Sequence, residues 1–189
     1  MMKHLKKILC LAIVLATLMT MVILPVQTSA ADANIEVIGA SIRTSGTQGF
    51  RFIGRIKKSA YTLTYGNSAN FGILLIPKYM VNADTTITAS TSNVLNIKAV
   101  KAVEYNHPEL SSVGVTGVSG YIYFICTLTG IDASNYKTDF IARAYVNTTY
   151  SAQITRSVYQ VAIDNSLTSI VNTANSYGTD MVVPVTSIN

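Results

Sequence analysis

Apolar and polar residues alternate with a period of two in several short stretches of this chain, and clusters of Gly, Asn, Ser and Pro separate those stretches. A strand turns successive side chains to opposite faces, so this spacing predicts β-strands with one buried face. Two such strands run from Ile35 to Ile42 and from Phe50 to Ile56. Between them lies the polar stretch Thr44-Ser45-Gly46-Thr47-Gln48-Gly49, whose glycines can supply positive φ, so the two are predicted to form a hairpin. After a loop at Tyr65–Asn70, Phe71 to Ile76 is almost continuously apolar, as a central strand would be, and Pro77 stops it because proline has no amide hydrogen to donate. Val81 to Asn93, rich in Thr, Ser, Asn and Asp, reads as a long surface loop. Further strands are predicted at Val94 to Val103, Tyr121 to Leu128 and Phe140 to Val146, with Tyr150 to Gln153 returning beside the last through Asn147-Thr148.

The period changes after Thr155. Val158, Val161, Ala162 and Asn165 fall on one helical stripe, with Tyr159, Ile163, Leu167, Ile170 and Ala174 alongside it. This predicts one amphipathic helix, opened near Arg156, capped by Thr155 or Ser157 and ended by Gly178. The fold class that follows is mostly β: an antiparallel β-sandwich, Ig-like or jelly-roll-like, with one C-terminal helix. No repeat of fixed period occurs, so residues 32–189 are read as a single domain.

The first 31 residues carry a different pattern. Lys3, Lys6 and Lys7 precede an apolar run from Ile8 to Leu24, which ends at Pro25 and the small residues Thr28-Ser29-Ala30-Ala31. That order of basic, apolar and small residues is that of a cleavable secretory signal, with a cut after Ala30 or Ala31. Cys10 sits near the start of the apolar run, not at its end where a lipid-modified cysteine belongs. No other stretch is long enough to span a membrane, so no membrane association is expected after cleavage.

Removing the signal changes the charge. Eleven basic residues then stand against nine acidic ones, a net charge of +2, which lacks the basic stripe of a nucleic-acid binder. Cys126 becomes the one remaining cysteine, so an intrachain disulfide is excluded. It shares a strand face with Ile122, Phe124 and Leu128, which predicts a buried, inert thiol.

Little in the mature chain points to catalysis. His107 is its one imidazole, it precedes Pro108 in a polar loop, and no serine has a nucleophile-elbow setting. One Cys and one distant His cannot make a zinc site, and Asp132, Ser134, Asn135 and Asp139 lack the regular calcium-loop spacing. Glu36, Glu104, Glu109 and Asp139 are carboxylates that a glycosidase could use only if two of them faced one sugar. No cofactor motif is present. We therefore expect no enzyme, with a small carbohydrate-active enzyme or a purely structural envelope protein as the alternatives.

Two residue types stand out. Arg43, Arg51, Arg55 and Arg143 lie in or at the ends of predicted strands; Arg51, Arg143 and Arg156 are read as structural, held by carboxylates such as Glu36 or Asp139 or by backbone carbonyls. Eleven tyrosines and no tryptophan make Tyr65, Tyr105, Tyr121, Tyr123 and Tyr150 the candidate contacts to a glycan or a cell-surface protein.

Five ordered segments also carry a resemblance. They are Gly39-Ala40-Ser41-Ile42-Arg43, Gly49-Phe50-Arg51-Phe52, Phe71-Gly72-Ile73-Leu74-Leu75-Ile76-Pro77, Phe140-Ile141-Ala142-Arg143-Ala144-Tyr145-Val146 and Thr155-Arg156-Ser157-Val158-Tyr159-Gln160-Val161-Ala162. With them the chain resembles a recurrent uncharacterised β-rich domain of secreted and surface proteins of anaerobic Gram-positive bacteria. The resemblance implies a setting of cell-surface attachment or polysaccharide handling and brings no catalytic residue with it. The expectation is an exported, extracellular binding or surface-interaction module.

Overall fold

The computed structural model describes residues 30–65 and 69–177, without the side chains of Thr64 and Tyr65. The signal-peptide reading and the helix end at Gly178 lie outside these residues. Among the described residues, eight strands form two antiparallel sheets. Sheet I contains β1 (Ile35–Arg43), β2 (Gly49–Lys57), β5 (Val103–Glu104) and β6 (Tyr121–Thr129) in the order β1-β2-β6-β5. Sheet II contains β3 (Phe71–Pro77), β4 (Leu95–Lys98), β7 (Phe140–Val146) and β8 (Thr149–Arg156) in the order β4-β3-β7-β8. This is the order of an immunoglobulin-type sandwich with one added edge strand, β4, beside β3. Four short α-helices are also present among the described residues: α1 (Lys58–Ala60), continued by a π-turn over Tyr61–Tyr65, α2 (Pro108–Ser112), α3 (Val158–Asp164) and α4 (Thr168–Ser176). Among the described residues no helix is long and apolar enough to cross a membrane.

The period-two pattern of the sequence becomes the interlayer core. Phe50, Phe52 and Ile56 from β2 and Ile122, Phe124, Cys126 and Leu128 from β6 face Ile73, Leu75, Phe140, Ala142, Ala144 and Val146 from sheet II. Phe50 meets Phe52 edge-on at 4.6 Å and Phe140 at 6.2 Å. Gly54 occupies the inward position between Phe52 and Ile56, and a Cβ there would come within 2.2 Å of the Phe124 ring on the paired strand. The ring fills the space that the glycine leaves open.

Two predicted elements take a different form. The single strand expected over Val94–Val103 is two strands in different sheets: β4 pairs with β3, residues 99–102 cross the sandwich edge, and β5 pairs with β6. The single C-terminal helix is α3 and α4, divided at Asn165–Leu167. Ser166 adopts φ +56°, its amide donates to Ile163 O at 3.0 Å, and the Leu167 amide reaches Ala162 O at 2.8 Å. That pair of bonds is a Schellman ending, formed here without the usual glycine. Ser157 caps α3 by accepting the Gln160 amide at 3.1 Å, and Arg156 ends β8 instead of opening the helix.

A connection lies over part of each outer sheet face. The connection from β5 to β6, which contains α2, lies over Ile53 and Tyr123 of sheet I and buries Leu110 and Val113 against them. The connection from β3 to β4 lies over Leu74, Ile76, Ile141, Tyr145 and Tyr150 of sheet II and is pinned by the fully buried Ile87. The stretch Val81–Asn93, expected as a surface loop, is thus also a lid over the second sheet.

Candidate functional site

The ionisable side chains that could carry chemistry are occupied in holding the fold. Glu36 accepts two bonds from Arg55, at 2.6 and 3.1 Å. Burial works against the charge of Arg55, but the hydrogen bond and the charge of Glu36 outweigh it and raise the guanidinium pKa. Glu104 pairs with Lys58 at 2.8 Å, Glu109 with Lys101 at 2.7 Å and Asp139 with Lys78 at 3.7 Å. His107 caps α2, its Nδ1 accepting the Glu109 amide at 3.2 Å. Asp132 caps the 3-10 turn Ala133–Asn135; the Ser134 hydroxyl and amide bond its Oδ1 and lower its pKa. Among the described residues no three His, Cys, Asp or Glu side chains gather as metal ligands would.

Cys126 is 2% exposed and free of any disulfide, and its Sγ lies 3.2 Å from Ile97 O. Burial pushes its pKa up to about 12, so the thiolate that would react is disfavoured.

The tyrosines divide into two groups. Tyr105 is exposed on the connection after β5, and Tyr121 is half-buried with the Arg55 guanidinium 4.3 Å above its ring. Tyr123 and Tyr150 are not presented at the surface: they are 1% and 9% exposed. The Tyr123 hydroxyl accepts the Val118 amide at 2.7 Å, and that of Tyr150 accepts the Ala89 amide at 3.3 Å, so each tethers the connection that covers it. The side chain of Tyr65 lies outside the described residues.

The arginines divide as well. Arg143 is 1% exposed on the outer face of β7; its Nε donates to Ser151 O and its Nη1 to Ile87 O, both at 2.7 Å, and its guanidinium stacks 4.8 Å from the Tyr150 ring. Arg51 is half-buried on the outer face of β2 and donates from Nη2 to Ile42 O at 3.3 Å and Ser112 O at 3.2 Å. Arg156 is exposed and donates to the adjacent carbonyl of Thr155 at 2.9 Å.

One end of the sandwich carries a recess. The β1–β2 turn, the β6–β7 connection and the two C-terminal helices enclose a cavity of about 150 Å³. Phe50 and Leu128 from the strands and Val158 and Ile170 from α3 and α4 supply apolar walls, while Arg43, Gln48 and Tyr136 bring polar groups to it. A cavity of roughly this volume has room for one six-membered ring, and apolar walls with a few convergent polar groups are the usual make-up of a small-molecule site. Sequence reasoning did not assemble this site. Its lining comes from four separate stretches that only the β1–β2 turn and the helix break bring together, although Arg43 and Gln48 were visible as polar residues beside a predicted turn.

Comparison with protein-family models, with curated proteins and with solved structures finds no match to this chain.

Proposed function

We propose that this protein is an exported, non-catalytic binding module for a cell-surface or extracellular polysaccharide, and that the cavity at the sandwich end receives one sugar residue. The observation that carries this reading is the lining of that cavity, a ring-sized recess that combines apolar side chains, Phe50, Leu128, Val158 and Ile170, with Arg43 and Gln48 at hand for hydroxyl or charged groups. A sugar ring offers apolar C–H faces to such walls and hydroxyls to such donors. The disposition of the ionisable groups supports binding over turnover, because Glu36, Glu104, Glu109 and Asp139 each lie against a cation and the Cys126 thiol is held protonated. Export follows from the N-terminal order of charge, apolar run and small residues. The resemblance to surface-protein domains of anaerobic Gram-positive bacteria leads to the same setting.

A glycan array read beside a reducing-end hydrolysis assay tests the proposal. The expected result is retention of a defined glycan set without product release, with Gln48→Ala weakening retention. Release of reducing ends by the purified protein would replace the binding reading with an enzymatic one.

A further inference from the structure

The outer face of sheet I is not covered along its whole length. Near the β1–β2 turn, register places Ser41, Arg51 and Thr127 side by side across three strands, and Arg43, Gly49 and Thr129 in the next row of the same face. Gly49 has no side chain, and the methyl groups of Thr127 and Thr129 lean over it: a Cβ at Gly49 would meet them at 2.5 and 3.5 Å. Two guanidiniums therefore share a small patch of sheet with three hydroxyls.

Neither guanidinium is saturated. Arg43 spends Nε on Thr47 O at 2.6 Å and Arg51 spends Nη2 on two carbonyls. The Nε of Arg51 and the Oγ of its cross-strand neighbour Ser41 are both buried without a hydrogen-bond partner. These two unpaired groups sit on adjacent side chains of the same face, so the positive charge there is not spent on an acceptor. Electrostatics agree: burial and then the charge of Arg43 lower the pKa of Arg51, partly offset by Glu109, which itself is paired with Lys101. Among the described residues neither arginine has a carboxylate within salt-bridge distance. Arg43 belongs to both places, since it also lines the cavity.

We propose that the sugar residue in the cavity is acidic, and that its carboxylate is held by Arg43, making this arginine the specificity-determining residue of the site. This rests on the cavity being the sugar site. A carboxylate matches the planar fork of a guanidinium with two parallel bonds, which a sugar hydroxyl cannot do.

The test is titration of the purified protein with three polymers: a polyuronate, the same polymer with its carboxyls reduced to alcohols, and a sulfated dextran. Arg43→Gln and Arg43→Lys serve as variants, because this half-exposed strand-end residue can be changed without emptying the core. The polyuronate is expected to bind about tenfold more tightly than its reduced counterpart or more. Arg43→Gln should abolish the preference for the polyuronate over its reduced counterpart, with Arg43→Lys in between because the fork is lost and the charge kept. Equal binding of the acidic and reduced polymers by the unmodified protein would overturn the acidic assignment and leave the polysaccharide reading standing. Binding of sulfated dextran as tight as polyuronate, insensitive to Arg43→Gln, would overturn it in favour of diffuse polyanion attraction. Failure of the folded protein to bind any of these polymers or any array glycan would remove the polysaccharide reading itself.

Discussion

The two outer faces of the sandwich are built from the same parts and put together with different tightness. Each is partly covered by a long polar connection, each connection drives a fully buried aliphatic plug onto the sheet, and each is tied by a tyrosine hydroxyl and a strand arginine. Over sheet II the plug is Ile87, the tyrosine Tyr150 and the arginine Arg143; over sheet I they are Leu110, Tyr123 and Arg51. The sheet II clasp is dry: Arg143 is 1% exposed, its bonds are 2.7 Å long, and it lies against the Tyr150 ring. On sheet I, Arg51 is half open to water, its bonds are 3.2 and 3.3 Å, and its Nε has no partner. The difference teaches that the same residue type in the same strand setting can be a fastener or a presented group, and that solvent access to its carbonyl partners decides which.

The largest effect is expected from Arg143→Ala. Removing the guanidinium leaves Ser151 O and Ile87 O short of a donor in a dry setting and opens a void beneath the lid, a loss of roughly 3 kcal/mol or more. For a domain of this length that corresponds to a fall of about 10 °C in unfolding midpoint, measurable by thermal denaturation. A midpoint within about 2 °C of the unmodified protein would break the comparison.

Cys126 offers a second, intermediate test, since its burial makes it a reporter of large-scale opening. A thiol reagent should leave the native protein unlabelled for long periods at pH 8 and label Arg143→Ala about tenfold faster or more, because the population of open chains rises with lost stability. The same thiol gives a pH dependence. Its pKa is raised from 9.0 to about 12 in the folded protein, so its contribution to stability is intact below pH 9 and is lost as the pH rises from there toward about 12. Cys126→Ala should show a shallower decline over that window than the unmodified protein in denaturant titrations.

The smallest effect belongs to Arg51→Ala. Water can take over the bonds to Ile42 O and Ser112 O, so the cost should be under about 1 kcal/mol, with Cys126 labelling close to that of the unmodified protein. If denaturant midpoints show Arg51→Ala to be as damaging as Arg143→Ala, the two clasps are equivalent and the outer faces do not differ as described.

What could be read from the chain and what could not has a physical pattern. Alternation reports which residues of a strand share a face, and it placed β1, β2, β3, β6 and β7 within a residue or two as well as the inward position of Cys126. It cannot report what lies over the outward face. Tyr121 and Tyr123 occupy equivalent alternating positions, yet residues 113–118 bury only Tyr123, and that cover comes from a stretch with no pattern of its own. The change of sheet between β4 and β5 was hidden for a related reason: Ala99-Val100-Lys101-Ala102 contains none of the Gly, Pro or Asn residues that mark a corner. The break between α3 and α4 was hidden because a serine stands where a helix ending usually has glycine. The cavity could not be foreseen at all, since it depends on that break and on the contact of four stretches distant in sequence.

The pairing of Gly54 with Phe124 has a bearing on how this sequence can change through descent. The Phe124 ring occupies the volume that a side chain at position 54 would need, so neither position is free to drift alone: a methyl at 54 strikes the ring, and a smaller residue at 124 leaves a hole beside the glycine. Among diverged copies of this fold the two sites would therefore be inherited as a unit, a bare backbone with a large ring or a side chain with a small partner. Such covariation between β2 and β6 would reveal the strand register from sequences alone.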